Sequence, residues 1–314
     1  GNIMSRDVIL WNAMIEIYVK YGQGSEAIKL FEEMVVMGSI PTKVTFINIL
    51  DGFMDLSAGK HMHKIISERG LETDVMVATS LMNMYGNFGS LDDVFMVFDK
   101  MQEHDLVSWN AFLAVLSRHD KAQESLSSFQ KMLSEGILPD KVSYITLCDA
   151  CGSRALLREG IRIHALIVSS KLEMDIQLRN SVINMYGKCG NLNLSRRIFE
   201  DTIEQDEFTW NAIIASHAQA GEGLNAIHFF HQMQEKGLIP ERFTYVNLLS
   251  GFTGSQYSMP GKRIHASLVG SHLEADVIII NILINMYGKC NKPEDAQMLF
   301  DETLKLDIVT WNGM

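Results

Sequence analysis

Residues 8–42 read VILWNAMIEIYVKYGQGSEAIKLFEEMVVMGSIPT, and the spacing of apolar side chains in this stretch decides the fold. Trp11, Met14, Ile15 and Tyr18 fall at i, i+3, i+4 and i+7, one face of an α-helix. Gly22 and Gly24 then punctuate the chain as C-terminal and turn residues. Ala27, Leu30, Phe31 and Met34 repeat the spacing for a second helix, which Gly38 and Pro41 close. The stretch is a helical hairpin with one apolar stripe per helix. A single hairpin cannot bury that stripe alone, so like units must stack against it.

Like units are present. The four tryptophans each open a Trp-Asn pair, at Trp11, Trp109, Trp210 and Trp311, spaced by 98, 101 and 101 residues. Met-Tyr-Gly recurs with Tyr85, Tyr186 and Tyr287 spaced by 101, and so do His63, His164 and His265. Three markers with one period mean tandem repeats. Each long period divides into three: 8–42, 43–74 and 75–105; 106–140, 141–175 and 176–206; 207–241, 242–276 and 277–307. Lengths run 35, 35 and 31 residues, with 43–74 three short. The expected fold is all-α, a right-handed α-solenoid superhelix of tandem helix-turn-helix repeats with a concave side. Residues 1–7 are expected to be the tail of a preceding repeat and 308–314 the start of a further one, so the chain is expected to be part of something longer.

Composition agrees. A hydrophobic share of 47% over 314 residues supports a continuous core, and 21% charged residues argues against disorder. Apolar runs such as 277–280 are far too short to span a bilayer, and the first residues show neither a signal peptide's apolar core nor an Arg-rich transit peptide. The net charge of −11 opposes the basic footprint usual for nucleic-acid binders, although the local potential along a groove matters more than the total.

The Trp, Tyr, Ala and Phe spacing is shared with tetratricopeptide hairpins, but Met14-Ile15 stands where those carry Leu-Gly. The alternation of lengths instead resembles plant-type pentatricopeptide repeat proteins of the PLS subfamily, built from P, L and S motifs. The resemblance is carried by Val-Ser-Trp-Asn-Ala (107–111), Ala-Ile-Lys-Leu-Phe-Glu-Glu-Met (27–34), Gly-Lys-Arg-Ile-His-Ala (261–266) and Asn-Met-Tyr-Gly-Lys-Cys-Gly (184–190). It implies binding of single-stranded organellar RNA at one nucleotide per repeat, in mitochondrion or chloroplast. It also implies a role in C-to-U editing or other RNA processing, with editing cofactor proteins or a deaminase acting in trans. Reading one base per helical repeat with two or three side chains is a known mode of RNA recognition.

The resemblance places base reading on the fifth and last residue of each repeat. These are Asn12 with Thr42, Thr79 with Asp105, Asn110 with Asp140, Asn180 with Asp206, Asn211 with Glu241, and Asn281 with Asp307. The middle repeats pair Ile47 with Asp74, Ile145 with Asp175 and Val246 with Asp276; an aliphatic fifth residue cannot hydrogen-bond a base edge, so these are expected to space or stack. An ionised Asp only accepts, which suits U or G, whose ring N–H donates. Asn is longer than Thr and leaves room for a pyrimidine, Thr for a purine. With the RNA 5′ end at the N-terminal repeat, the implied site is Y-N-G-U-N-U-Y-N-U, with Glu241 the departure from the usual short ending. The plain alternative for the Asp residues is N-capping of the next helix. Second residues, expected to stack on bases, are Ile9, Val44, Met76, Val107, Val142, Phe208, Phe243 and Ile278, with Gln177 the exception; their plain alternative is interhelix packing.

The remaining candidates read as structural. The tryptophans are expected in the core, and the recurrent histidines as packed or hydrogen-bonded groups. Cys148 and Cys151 form a lone Cys-x-x-Cys without the further ligands a zinc site needs. His272-Leu273-Glu274 matches the first half of a zinc-deaminase signature, but only Cys290 follows. No cofactor and no catalysis are expected. The competing function is a tetratricopeptide-like protein–protein interaction scaffold.

Overall fold

The computed structural model describes residues 7–53, 55–170 and 172–302, and among them every regular element is helical. Contacts divide the chain into two compact units, meeting between Thr146 and Leu147. The first holds α1 (Val8–Lys20), α2 (Gly24–Val36), α3 (Lys43–Leu50), α4 (Leu56–Glu68), α5 (Val75–Asn87), α6 (Leu91–Lys100), α7 (Leu106–Arg118) and α8 (Ala122–Ser134). Helix α9 (Lys141–Ser153) runs across the division. The second holds α10 (Leu157–Ser169), α11 (Ile176–Lys188), α12 (Leu192–Glu200), α13 (Glu207–Gln219), α14 (Gly223–Glu235), α15 (Arg242–Ser250), α16 (Ser258–Leu268), α17 (Val277–Lys289) and α18 (Pro293–Glu302). A short 3₁₀ turn, Ser255–Tyr257, leads into α16.

The packing follows a rule. In the first unit α1 packs on α2, α3 on α4, α5 on α6 and α7 on α8, while α1, α3, α5 and α7 pack in series. In the second, α11, α13, α15 and α17 form the series, with α12, α14 and α18 against their partners. Within each unit the odd-numbered helices thus pack side by side, with even-numbered helices against them. Trp11, Trp109 and Trp210 are buried between them; Trp311 lies outside the described residues.

The sequence markers prove to be one another's partners. His63 Nδ1 lies 2.8 Å from Tyr85 Oη, His164 Nδ1 2.9 Å from Tyr186 Oη, and His265 Nδ1 2.8 Å from Tyr287 Oη. Each bond ties the second helix of one repeat to the first helix of the next. Glycines beside these histidines work the same way. A Cβ on Gly59 would sit 2.6 Å from Met84 Sδ, and one on Gly160 2.9 Å from Met185 Sδ, so both admit a neighbouring methionine. Gly22, at φ 71°, is a C-terminal turn residue as expected. Gly24 is not. It is the first residue of α2, buried, and a Cβ there would overlap the Gly52 carbonyl, so its role is close backbone approach rather than a turn.

Burial lowers the pKa of His164 below the usual 6.5. The unfolded chain therefore takes up the proton more readily than the folded one, and stability falls as protons bind. The contribution of neutral His164 is complete above pH 6.5 and is lost as pH drops from there through the depressed folded value. His164→Gln, which keeps a partner for Tyr186, is expected to flatten the slope of the urea midpoint between about pH 5 and 7. An unchanged slope would place the acid sensitivity elsewhere.

Candidate nucleic-acid interface

The last residue of a repeat is the N-cap of the next repeat's first helix, and the fifth residue lies just over one turn into its own first helix. Because consecutive first helices lie side by side, the two meet. Asn110 Nδ2 donates to Asp140 Oδ1 at 3.0 Å, and Asn180 Nδ2 to Asp206 Oδ1 at 3.4 Å.

Capping is present throughout. Asp74, Asp105, Asp175, Asp206 and Asp276 each accept a backbone N–H from the first turn of the helix that follows. Asp140 accepts the Ser143 N–H at 2.9 Å. Burial works against its ionisation, but bonds from Ser143, Asn110 and Val142 outweigh this and hold its carboxyl below the usual range. Thr42 and Glu241 donate their own N–H to Thr45 and Thr244.

Capping uses one carboxylate oxygen, and the other separates the repeats into two kinds. On Asp105, Asp140 and Asp206, whose fifth residues are polar, Oδ1 carries the cap bonds and Oδ2 has no partner among the described residues. At two of the three repeats whose fifth residue is apolar, those of Ile47 and Val246, Oδ2 is engaged: Lys43 Nζ lies 3.6 Å from Asp74 Oδ2, and Arg242 Nη1 3.5 Å from Asp276 Oδ2. Sequence reasoning missed these cations. The signal was available, since Lys43, Lys141 and Arg242 are the first residues of the three middle repeats.

The second residues lie on the surface. Ile9, Met76, Val107, Phe208 and Phe243 are exposed, from 59% to 72%, and Val44, Val142 and Ile278 from 46% to 50%; Gln177 is exposed as well. Interhelix packing does not account for apolar side chains left this open at one register position. Fifth residues are deeper. Asn12, Thr79, Asn110, Asn180 and Asn281 are half-buried and Asn211 is buried. Thr79 Oγ1, Asn180 Oδ1 and Asn211 Oδ1 are enclosed without a partner among the described residues. Asp307 lies outside the described residues, so the Asn281 pair has no geometry here.

The cysteines are packing groups. Cys148 and Cys151 are fully buried, and burial pushes the Cys151 thiol up to about 12, so both stay protonated and poor as ligands. Among the described residues no group of three or more His, Cys, Asp or Glu is placed to hold a metal ion. His272 is exposed while Leu273 is buried. No helix among the described residues is long and apolar enough to cross a membrane.

The PPR repeat family model matches residues 6–55, 104–153 and 205–254, and the PPR repeat model matches 77–106, 179–206 and 278–308. The chain belongs to the pentatricopeptide repeat family. Among similar proteins of Arabidopsis thaliana, pentatricopeptide repeat-containing protein At1g11290, chloroplastic, is 30% identical over 98% of this chain and 39% of its own length. Protein At3g02330, mitochondrial, is 31% identical over 97% of this chain and 36% of its own length. The chain thus spans less than half of either relative. The crystal structure of the pentatricopeptide repeat protein PPR10 with an 18-nt psaJ RNA element superposes at TM-score 0.61 and 20% identity, covering 98% of this chain and 50% of that one. The shared fold is an α-solenoid of helical hairpins.

Proposed function

We propose that this pentatricopeptide repeat chain binds single-stranded RNA with sequence selectivity, one base per repeat, and leaves chemistry to other proteins. The observation that carries this is the recurring side-by-side placement of a polar fifth residue and an Asp with one free carboxylate oxygen, beneath exposed apolar second residues. A base stacked on such a side chain turns its pairing edge toward a fixed acceptor. The fold shared with PPR10, which was solved with bound RNA, supports the reading. So does the pairing of Asp74 and Asp276 with cations, which removes the acceptor where the fifth residue cannot read. The nine repeats are taken as three P-L-S triplets. The chloroplastic and mitochondrial relatives favour an organellar RNA, and the PLS pattern favours guidance of C-to-U editing, with a deaminase or cofactor proteins in trans.

Phosphate contacts through Lys and Arg release counterions on binding, so affinity for a single-stranded RNA pool is expected to fall steadily as salt rises, with a log–log slope of about −0.7 per phosphate neutralised. A filter-binding salt series measures this. Failure to retain RNA at low salt, with tight capture of a peptide instead, would favour the scaffold reading that the net charge of −11 suggests.

A further inference from the structure

We propose that the hydroxyl at the third position of a repeat, Thr45 and Ser143 here, is a positioning group that locks the fifth-residue amide of the preceding repeat and so sharpens its choice of base. The proposal rests on the RNA-binding reading above. Ser143 Oγ donates to Asn110 Oδ1 at 2.6 Å, and Thr45 Oγ1 donates to Asn12 Oδ1 at 2.7 Å. Both pairs are separated by 33 residues, so one device is built twice, each time across a repeat junction.

The surrounding bonds leave one orientation. Ser143 Oγ accepts the Asp140 N–H at 3.2 Å and lies 3.0 Å from Asp140 Oδ1, while Thr45 Oγ1 accepts the Thr42 N–H at 3.0 Å and lies 3.3 Å from Thr42 Oγ1. In each case the amide oxygen is the nearest acceptor and takes the hydroxyl proton. On its other side, the Asn110 amide meets Asp140 Oδ1, which only accepts, and Nδ2 donates to it at 3.0 Å. A flipped amide would set two acceptor oxygens against each other. The locked amide has one N–H left to donate and Asp140 has Oδ2 left to accept, so the pair offers one donor and one acceptor. Uracil offers the complement, a carbonyl next to a ring N–H; cytosine offers a bare ring nitrogen in place of that N–H.

The third triplet shows what the device looks like unclosed. Thr244 Oγ1 accepts the Glu241 N–H at 3.2 Å, yet Asn211 Oδ1 is buried without a partner among the described residues. Asn211 is accordingly the least selective of the three.

The test is competition between two single-stranded RNAs that differ only in U or C opposite the Asn110 repeat, with the full chain as wild type, Ser143→Ala and Ser143→Thr. Ser143→Ala is expected to cut the U-over-C preference roughly three- to tenfold, the net worth of one hydrogen bond. Ser143→Thr should retain it, and G preference opposite the Thr79 repeat should not move in either variant. A change that merely loosened the fold would weaken both RNAs alike and leave their ratio intact. An unaltered ratio in Ser143→Ala overturns the proposal while leaving RNA binding standing. A wild type that binds neither RNA removes the reading beneath it, and the proposal with it. Should Ser143→Ala not fold, the near-isosteric Thr45→Val gives the same comparison of pyrimidine over purine at the Asn12 repeat, with retained selectivity there again the overturning result.

Discussion

Gly187→Ala is expected to destabilise the protein by about 1–3 kcal/mol, even though alanine is the better helix former by roughly 1 kcal/mol. Gly187 belongs to the recurrent Met-Tyr-Gly marker and sits in α11, where α13 crosses it. A Cβ there would overlap the Ser216 side chain and lie 3.0 Å from Ser216 Cα. Ser216 cannot swing aside without loss, because its Oγ donates to the Ala212 carbonyl at 2.8 Å within the buried layer. The two helices must therefore separate, which opens the well-packed core around Ile183 and Ile213. The corresponding Gly86→Ala should cost less, since there a Cβ meets only the tip of Val115, at 2.9 Å from both methyl groups. Urea midpoints of the two variants, and of Gly187→Ala combined with Ser216→Gly, check this. The double variant should recover part of the loss, because the pair shares one contact. A Gly187→Ala protein as stable as wild type would show that the first-helix layer packs less closely than described.

Thr79→Asn is expected to move base preference opposite its repeat from G toward U, changing discrimination by about 1–3 kcal/mol. Thr79 is the fifth residue of its repeat, in α5, and Asp105 closes the same repeat, its Oδ1 capping α7 through the Ser108 N–H at 2.8 Å. That leaves Oδ2 as the acceptor for a base N–H in wild type and variant alike. What changes is room: the amide reaches further than the hydroxyl and leaves space for a pyrimidine only. Thr79 is half-buried with its Oγ1 enclosed, so the longer side chain must extend toward Asp105, as Asn110 extends toward Asp140. Competition between two RNAs differing only in G or U at that nucleotide is the assay, with circular dichroism to verify helix content. Identical ranking by both proteins would mean that the code residue or the register is misassigned.

Most of the architecture was legible because a solenoid repeats its solutions. The 101-residue spacing of His63, His164 and His265 equals that of Tyr85, Tyr186 and Tyr287 because each pair is a single hydrogen bond seen from its two ends. The candidate interface was legible only as far as the register carried it. That Asp residues at repeat ends cap helices followed from residue type, whereas the division of labour between their two oxygens did not, since it depends on Lys43 and Arg242 a whole repeat earlier in the chain. The hydroxyl bonds of Thr45 and Ser143 were invisible for a related reason: they cross 33 residues, and only the lateral packing of successive first helices makes such positions neighbours. Gly24 misled because Gln-Gly after a helix has turn chemistry, while its cause is the Gly52 backbone lying against it.

Selection from a random single-stranded RNA pool at low salt tests the central claim most directly. The expected outcome is enrichment of Y-N-G-U-N-U-Y-N-U, sharpest at G opposite Thr79 with Asp105 and at the adjacent U opposite Asn110 with Asp140, and featureless opposite Ile47, Ile145 and Val246. A pool that emerges unenriched, or enriched in a motif whose defined positions fall opposite those three apolar residues, would contradict it.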